Sequence, residues 1–164
     1  MSISALRCTA GRAGERGFSI SELLVVVAII GIAVAIGIPL AAEQVRQAKI
    51  RGAADQLAMD LRAARMIAVS TRVASPGLPF TIMEEPDNYY EYDDNKGNTR
   101  HIDMPDGVRI TSSTSPILFQ LNGSVTAEGT TVLEINLTDG VLERWTITTN
   151  ILGVPRTDRE RIES

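Results

Sequence analysis

The hydrophobic pattern of the chain changes character twice. From Leu23 to Ala42, twenty residues pass without a charge. At about 1.5 Å per residue, a helix of that length covers roughly the 30 Å of a bilayer's hydrocarbon core. From Glu43 to about Val73 there is no proline, and apolar residues recur at Ile50, Ala54, Leu57, Leu61, Ala64 and Ala68. Their steps of 4, 3, 4, 3 and 4 residues trace one face of an amphipathic helix. The charges at Arg46, Lys49, Arg51, Asp55, Asp60, Arg62 and Arg65 mostly avoid that face. The stripe is alanine-rich and shorter than four heptads, which favours packing on a sheet of the same chain over a coiled coil. The two stretches together predict one helix of about 55 residues, roughly 80 Å long. Gly31, Gly37 and Pro39 interrupt its first half, and Gly52 weakens the second by roughly 1 kcal/mol against alanine.

Ser75-Pro76-Gly77 and Pro79 stop the helix, and the period then drops to two. Phe80–Met83 and Tyr89–Tyr92 read as strands, followed by a hairpin turn at Asp93–Asn98 and a returning strand at Arg100–Met104. Val108–Thr111 and Ile117–Leu121 are further strand candidates. Thr131–Leu137 sets Leu133, Ile135 and Leu137 on one face. Thr138-Asp139-Gly140 turns the chain, and Val141–Thr149 returns with Val141, Trp145 and Ile147 on one face, Trp145 being assigned to the core. The predicted fold class is α+β, a long N-terminal helix packed on a mostly antiparallel sheet. Residues after Arg156 are expected to form a polar, disordered tail.

Charge adds an orientation. The first seventeen residues hold Arg7, Arg12 and Arg16 against Glu15, a net of +2, so the total of −4 leaves −6 for the rest. A basic stretch before an apolar span fits a cytoplasmic leader. The acidic remainder argues against nucleic acid as a partner. The only cysteine, Cys8, lies in the leader, so the rest of the chain stands without a disulfide. An ordinary secretory signal is disfavoured: the apolar run is too long, and neither Leu40 nor Pro39 supplies a small residue two positions before a cut. A plain single-span anchor explains the length but leaves Gly17-Phe18 and Glu22 unexplained. A carboxylate at the edge of a membrane helix is costly and calls for a partner.

The run Gly17-Phe18-Ser19-Ile20-Ser21-Glu22, continuing into Leu23-Leu24-Val25-Val26-Val27-Ala28-Ile29-Ile30-Gly31-Ile32, resembles the prepilin motif of type IV pilins and type II secretion pseudopilins. The resemblance implies that a membrane aspartyl peptidase, the prepilin peptidase, cuts between Gly17 and Phe18. It also implies N-methylation of Phe18, and pairing of Glu22 with the amino terminus of a neighbouring subunit during filament assembly. The physical chemistry agrees: cleavage would create a cationic amine on Phe18, four residues from Glu22, at a boundary less polar than water.

Three further stretches resemble the H-type minor pseudopilins of type II secretion and the related minor pilins of type IV pili (the GspH/FimT family). They are Leu61–Ala68, Ile117–Val125 and Trp145–Arg156. The resemblance spans Phe18 to Arg156. It implies four regions: a cleaved leader over 1–17, a membrane-spanning and filament-core helix over 18–42, an amphipathic helix over 43–74 and a periplasmic β-sheet head over 75–164. It also implies a single-pass protein of the bacterial inner membrane. Its partners would be other pilin or pseudopilin subunits and the secretion or pilus assembly machinery. An alternative within the family is DNA uptake through a terminal glycine-arginine-any-arginine stretch. The matching positions here are Gly153, Val154, Pro155 and Arg156, so only Arg156 stands as a candidate DNA contact. Arg159 and Arg161 follow, but Asp158, Glu160 and Glu163 offset them.

Catalytic and cofactor chemistry is not expected. His101 has no cysteine or second histidine to share a metal. The spacing of Asp93, Asp94 and Asn95 around Gly97 fails the calcium-loop pattern and is that of a turn. The chain has no phosphate loop and no nucleophile elbow. The expectation is a structural subunit with no cofactor and no metal.

Overall fold

A computed structural model describes residues 19–72, 76–137 and 141–162. The chain divides into two compact units, Met1–Pro39 and Leu40–Ser164. Helix α1, Ile20–Thr71, is 52 residues long and runs through both. The backbone stays helical through Pro39.

In the first unit, every large apolar side chain from Ile20 to Ile38 is at least 43% exposed. This stretch of α1 is long and apolar enough to cross a membrane.

In the second unit, the predicted stripe becomes the buried face. Ile50, Ala54, Leu57, Leu61, Ala64 and Ala68 are each 0% exposed. Ala53 and Ala58 widen that face. Most of the named charges avoid it, and the exception is Asp60, which is 5% exposed.

Eight strands complete this unit: β1 Leu78–Met83, β2 Tyr89–Asp93, β3 Thr99–Asp103, β4 Val108–Ser112, β5 Ile117–Phe119, β6 Gly129–Asn136, β7 Leu142–Thr149 and β8 Pro155–Ile162. Each predicted strand is present, with ends that coincide or shift by one or two residues. The single predicted sheet is in fact two four-stranded antiparallel sheets, ordered β3-β2-β1-β5 and β4-β6-β7-β8. The split follows from β1, which takes β5 on its free edge with Phe80 opposite Ile117, while β4 pairs with β6 instead. One hydrophobic core unites α1 with both sheets, from Phe80 and Tyr90 in the first to Leu133 and Ile147 in the second.

Two further expectations are corrected. Residues 156–162 are not a disordered tail: they belong to β8, which pairs with β7 at eight successive positions. An edge strand needs little apolar content, because one side faces water and charges there discourage further pairing. Its register sets Arg161 opposite Glu143 and Glu160 opposite Arg144, and Arg159, two residues along, also reaches Glu143 at 2.9 Å. Trp145 is half-buried at the margin of the core, and its Nε1–H donates to Glu143 Oε1 at 2.8 Å. The predicted turn at 138–140 and Ser75 of the helix stop lie outside the described residues.

Candidate functional site

The processing residues Gly17 and Phe18 lie outside the described residues. Glu22 sits in the first turn of α1, where the backbone N–H groups of Glu22 and Leu23 both donate to the Ser19 carbonyl, at 3.0 and 3.1 Å. A negative charge is favoured there by the helix dipole. Ser19 and Glu22 have the spacing of a capping box, yet the Glu22 carboxylate is exposed and makes no side-chain bond among the described residues. An acidic side chain therefore stands at the start of an apolar helix with no hydrogen-bond partner among the described residues.

In the head, the structure brings together the three stretches that carried the finer resemblance. The Arg65 Nε–H donates to two backbone carbonyls, Gly123 at 3.0 Å and Leu152 at 3.1 Å. Gly123 and Gly153 both have positive φ, +80° and +71°. A side chain on Gly153 would meet the Gly123 carbonyl and the stem of Arg65. Glycine is required here both for conformation and for close approach. The end of α1, the turn after β5 and the turn before β8 are thus fastened at one point. In the sequence Arg65 reads as a charge off the apolar face and as part of the Leu61–Ala68 resemblance, with no contact to the two turns foreseen. Its separation of three and four residues from Leu61, Ala68 and Val69 already put it beside that face.

A second cluster lies inside the core. Asp60 accepts three hydrogen bonds: from the Tyr90 hydroxyl at 2.6 Å, the Tyr92 hydroxyl at 2.9 Å and Gln56 Nε2 at 2.9 Å. Phe80 stacks on both tyrosine rings, with centroids 5.2 and 5.3 Å away. Burial, followed by the hydrogen bond to Asp60, pushes the Tyr90 hydroxyl well above its ordinary range and raises Tyr92 in the same direction. Both phenols therefore remain protonated donors at neutral pH, locked to a carboxylate. That arrangement is structural: it holds its protons in place. A sequence signal existed, because Asp60 lies three residues beyond Leu57 and four before Ala64, and Tyr90 and Tyr92 share one strand face.

Arg156 is exposed on β8 and lies 3.6 Å from Asp158. Arg159 and Arg161 both face Glu143, at 2.9 and 3.7 Å. Each arginine of β8 thus sits within ion-pair distance of a carboxylate, so the strand presents no cluster of unpaired cations to a phosphate backbone. His101 is exposed on β3, 3.1 Å from Asp103, with its ring 4.0 Å from that of Tyr89. The Asp94 carboxylate accepts the backbone N–H groups of Lys96 and Asn98, at 2.7 and 2.9 Å. These bonds, the one from Asn98 foremost, hold its acidity stronger than usual and account for the Asp93–Asn98 turn. Among the described residues, no group of three or more His, Cys, Asp or Glu is placed to hold a metal ion.

One long apolar N-terminal helix with antiparallel sheets behind it is an α+β, pilin-like fold. Residues 12–38 match a family described as the prokaryotic N-terminal methylation motif. That match supports a type IV pilin-like protein, and it implies processing by a prepilin peptidase and assembly with other pilins. The apolar helix and the motif are consistent with a single-pass inner-membrane anchor. Motif and fold together point to a structural protein rather than an enzyme. Comparison with curated proteins and with solved structures gives no match.

Proposed function

We propose that the chain is a minor pseudopilin or minor pilin, a structural subunit of a type II secretion pseudopilus or a type IV pilus. In this reading residues 1–17 are the leader, cut off after Gly17, and Phe18 becomes an N-methylated amino terminus. Residues 18–42 form the span that enters the filament core, 43–74 the helix of the head and 75–164 its β-rich part, held in the periplasm. Glu22 of one copy pairs with the amino terminus of a neighbouring subunit, which supplies the partner that a carboxylate at the lipid boundary requires.

The observation that carries this reading is the methylation motif at 12–38, set over a helix whose large apolar side chains are exposed up to Ile38 and whose first turn holds Glu22, without a side-chain partner among the described residues. Expression with and without a cognate prepilin peptidase tests it. The mature mass is expected to correspond to a chain that begins at N-methylated Phe18, and any other amino terminus overturns the reading. Glu22→Ala is expected to leave cleavage intact and to impair filament assembly; unimpaired assembly removes the pairing argument.

A further inference from the structure

The Arg65 clamp joins two β-turns whose tips carry the wrong side chains for water. One turn, Gln120–Gly123, is closed by the Gly123 N–H donating to the Gln120 carbonyl at 2.8 Å, with Leu121 at its tip. The other, Asn150–Gly153, is closed in the same way at 2.8 Å, with Ile151 and Leu152 at its tip. Such tips are ordinarily filled by Gly, Pro, Asn, Asp or Ser. Here the three aliphatic side chains are 59%, 60% and 66% exposed. The turns lie side by side, because one Arg65 Nε–H reaches a carbonyl of each and the Val125 N–H donates to the Ile151 carbonyl at 3.0 Å. Val69 of α1 abuts Gly123, and Met66 and Val154 extend the exposed apolar surface. None of these six side chains belongs to the core, so folding does not account for them.

The segments that form this surface carry charges of one sign. Segments 61–72, 120–125 and 150–156 hold Arg62, Arg65, Arg72 and Arg156 and no acidic residue. Arg156 is matched by Asp158, but Arg62 and Arg72 have no ion pair among the described residues. Contiguous exposed apolar surface marks a binding face. Arginines at its rim select carboxylates.

We propose that this twin-turn surface docks a segment of another polypeptide in which aliphatic side chains are flanked by carboxylates. Extended polyanions fit less well. From Leu40 onward the chain carries 13 Lys and Arg against 18 Asp and Glu, so the field of the head as a whole repels an anionic bilayer or a nucleic acid. A polypeptide segment meets only the local patch. Two copies of this chain facing each other through it would set arginine against arginine. The inference stands on the head alone and goes beyond the filament reading.

The test uses the full-length protein in its host cell, with the photoreactive residue p-benzoylphenylalanine at Leu152 or, as a control, at the exposed Asn95. After irradiation, mass spectrometry identifies what is joined. The expected adduct at Leu152 is to a different polypeptide, within a stretch that contains both aliphatic and acidic residues. Ile151→Asp, and separately Arg62→Glu with Arg72→Glu, are expected to cut its yield at least tenfold. All three positions are exposed, so the fluorescence-monitored denaturation midpoint is expected to stay unchanged. Adducts to lipid, nucleic acid, a second copy or a basic segment overturn the proposal, as does no adduct or the same adduct at Asn95. The amino-terminal mass of the same sample separates the two readings: a terminus other than Phe18 beside the expected adduct removes the filament reading and keeps this one.

Discussion

Helix α1 presents two opposite surfaces along one backbone. Up to Ile38 its large apolar side chains are all exposed, from 43% at Val26 to 80% at Ile20. Beyond Leu40 a stripe from Ile50 to Ala68 is covered in the core that it forms with the two sheets, while Val45, Met59, Met66 and Val69, off that stripe, stay exposed. The first stretch is apolar on every side and can be satisfied only by lipid or by other helices. The second is one-sided and is satisfied within the chain. The lesson is that stability and assembly are written into different turns of the same helix. Changes in one stretch should therefore leave the property of the other untouched.

The sharpest way to break that separation is Asp60→Ala, in the head stretch. It leaves the Tyr90 and Tyr92 hydroxyls buried without their acceptor. At roughly 1–3 kcal/mol for each orphaned donor, the expected loss is about 4 kcal/mol. Urea denaturation of the full chain in detergent, followed by the fluorescence of the only tryptophan, Trp145, measures it. A loss below about 1 kcal/mol would mean that the cluster does not hold the head together.

The next effect compares the two stretches directly. Leu61 is 0% exposed and Leu24 is 63% exposed. Leu61→Ala is expected to cost about 3 kcal/mol in the same assay, from lost burial and the cavity left behind. Leu24→Ala is expected to leave the midpoint unchanged, because the Leu24 side chain lies outside the core of the head. A shift for Leu24→Ala comparable to that for Leu61→Ala would show that the two stretches are not independent.

Much of this was legible in the residues, for physical reasons. The stripe from Ile50 to Ala68 could be read because a helix buried on one face must repeat at three and four residues. Glu22 stood out because a charge beside a long apolar run has no local explanation. Pattern failed where a partner distant in sequence decided the outcome. Asp60 looks like any helix charge until Tyr90 and Tyr92 arrive from β2. Strand β8 reads as a polar tail because its order comes from backbone pairing with β7 and from Glu143 facing Arg159 and Arg161. The Arg65 clamp needs two turns that are 58 and 87 residues away from it. The division into two sheets depends on which strand takes each edge, and alternation within a strand carries no such information.

Alkaline titration gives the most graded effect and is confined to the head. The hydroxyls of Tyr90 and Tyr92 are held above the ordinary tyrosine value of 10.0 in the folded protein. In the unfolded chain they return to it. Below pH 10 both states are protonated at these sites, so the stabilisation is fully present. Above pH 10 the unfolded chain loses protons that the folded one retains, and stability falls as pH rises, by up to about 1.4 kcal/mol per pH unit for each tyrosine. The denaturation midpoint is expected to hold through neutral pH and to decline from about pH 10 upward. Tyr90→Phe with Tyr92→Phe removes both titrating hydroxyls, and in that variant most of the decline should disappear. If the variant declines as steeply as the parent, the tyrosines do not set the alkaline limit, and the charge on some other part of the head does.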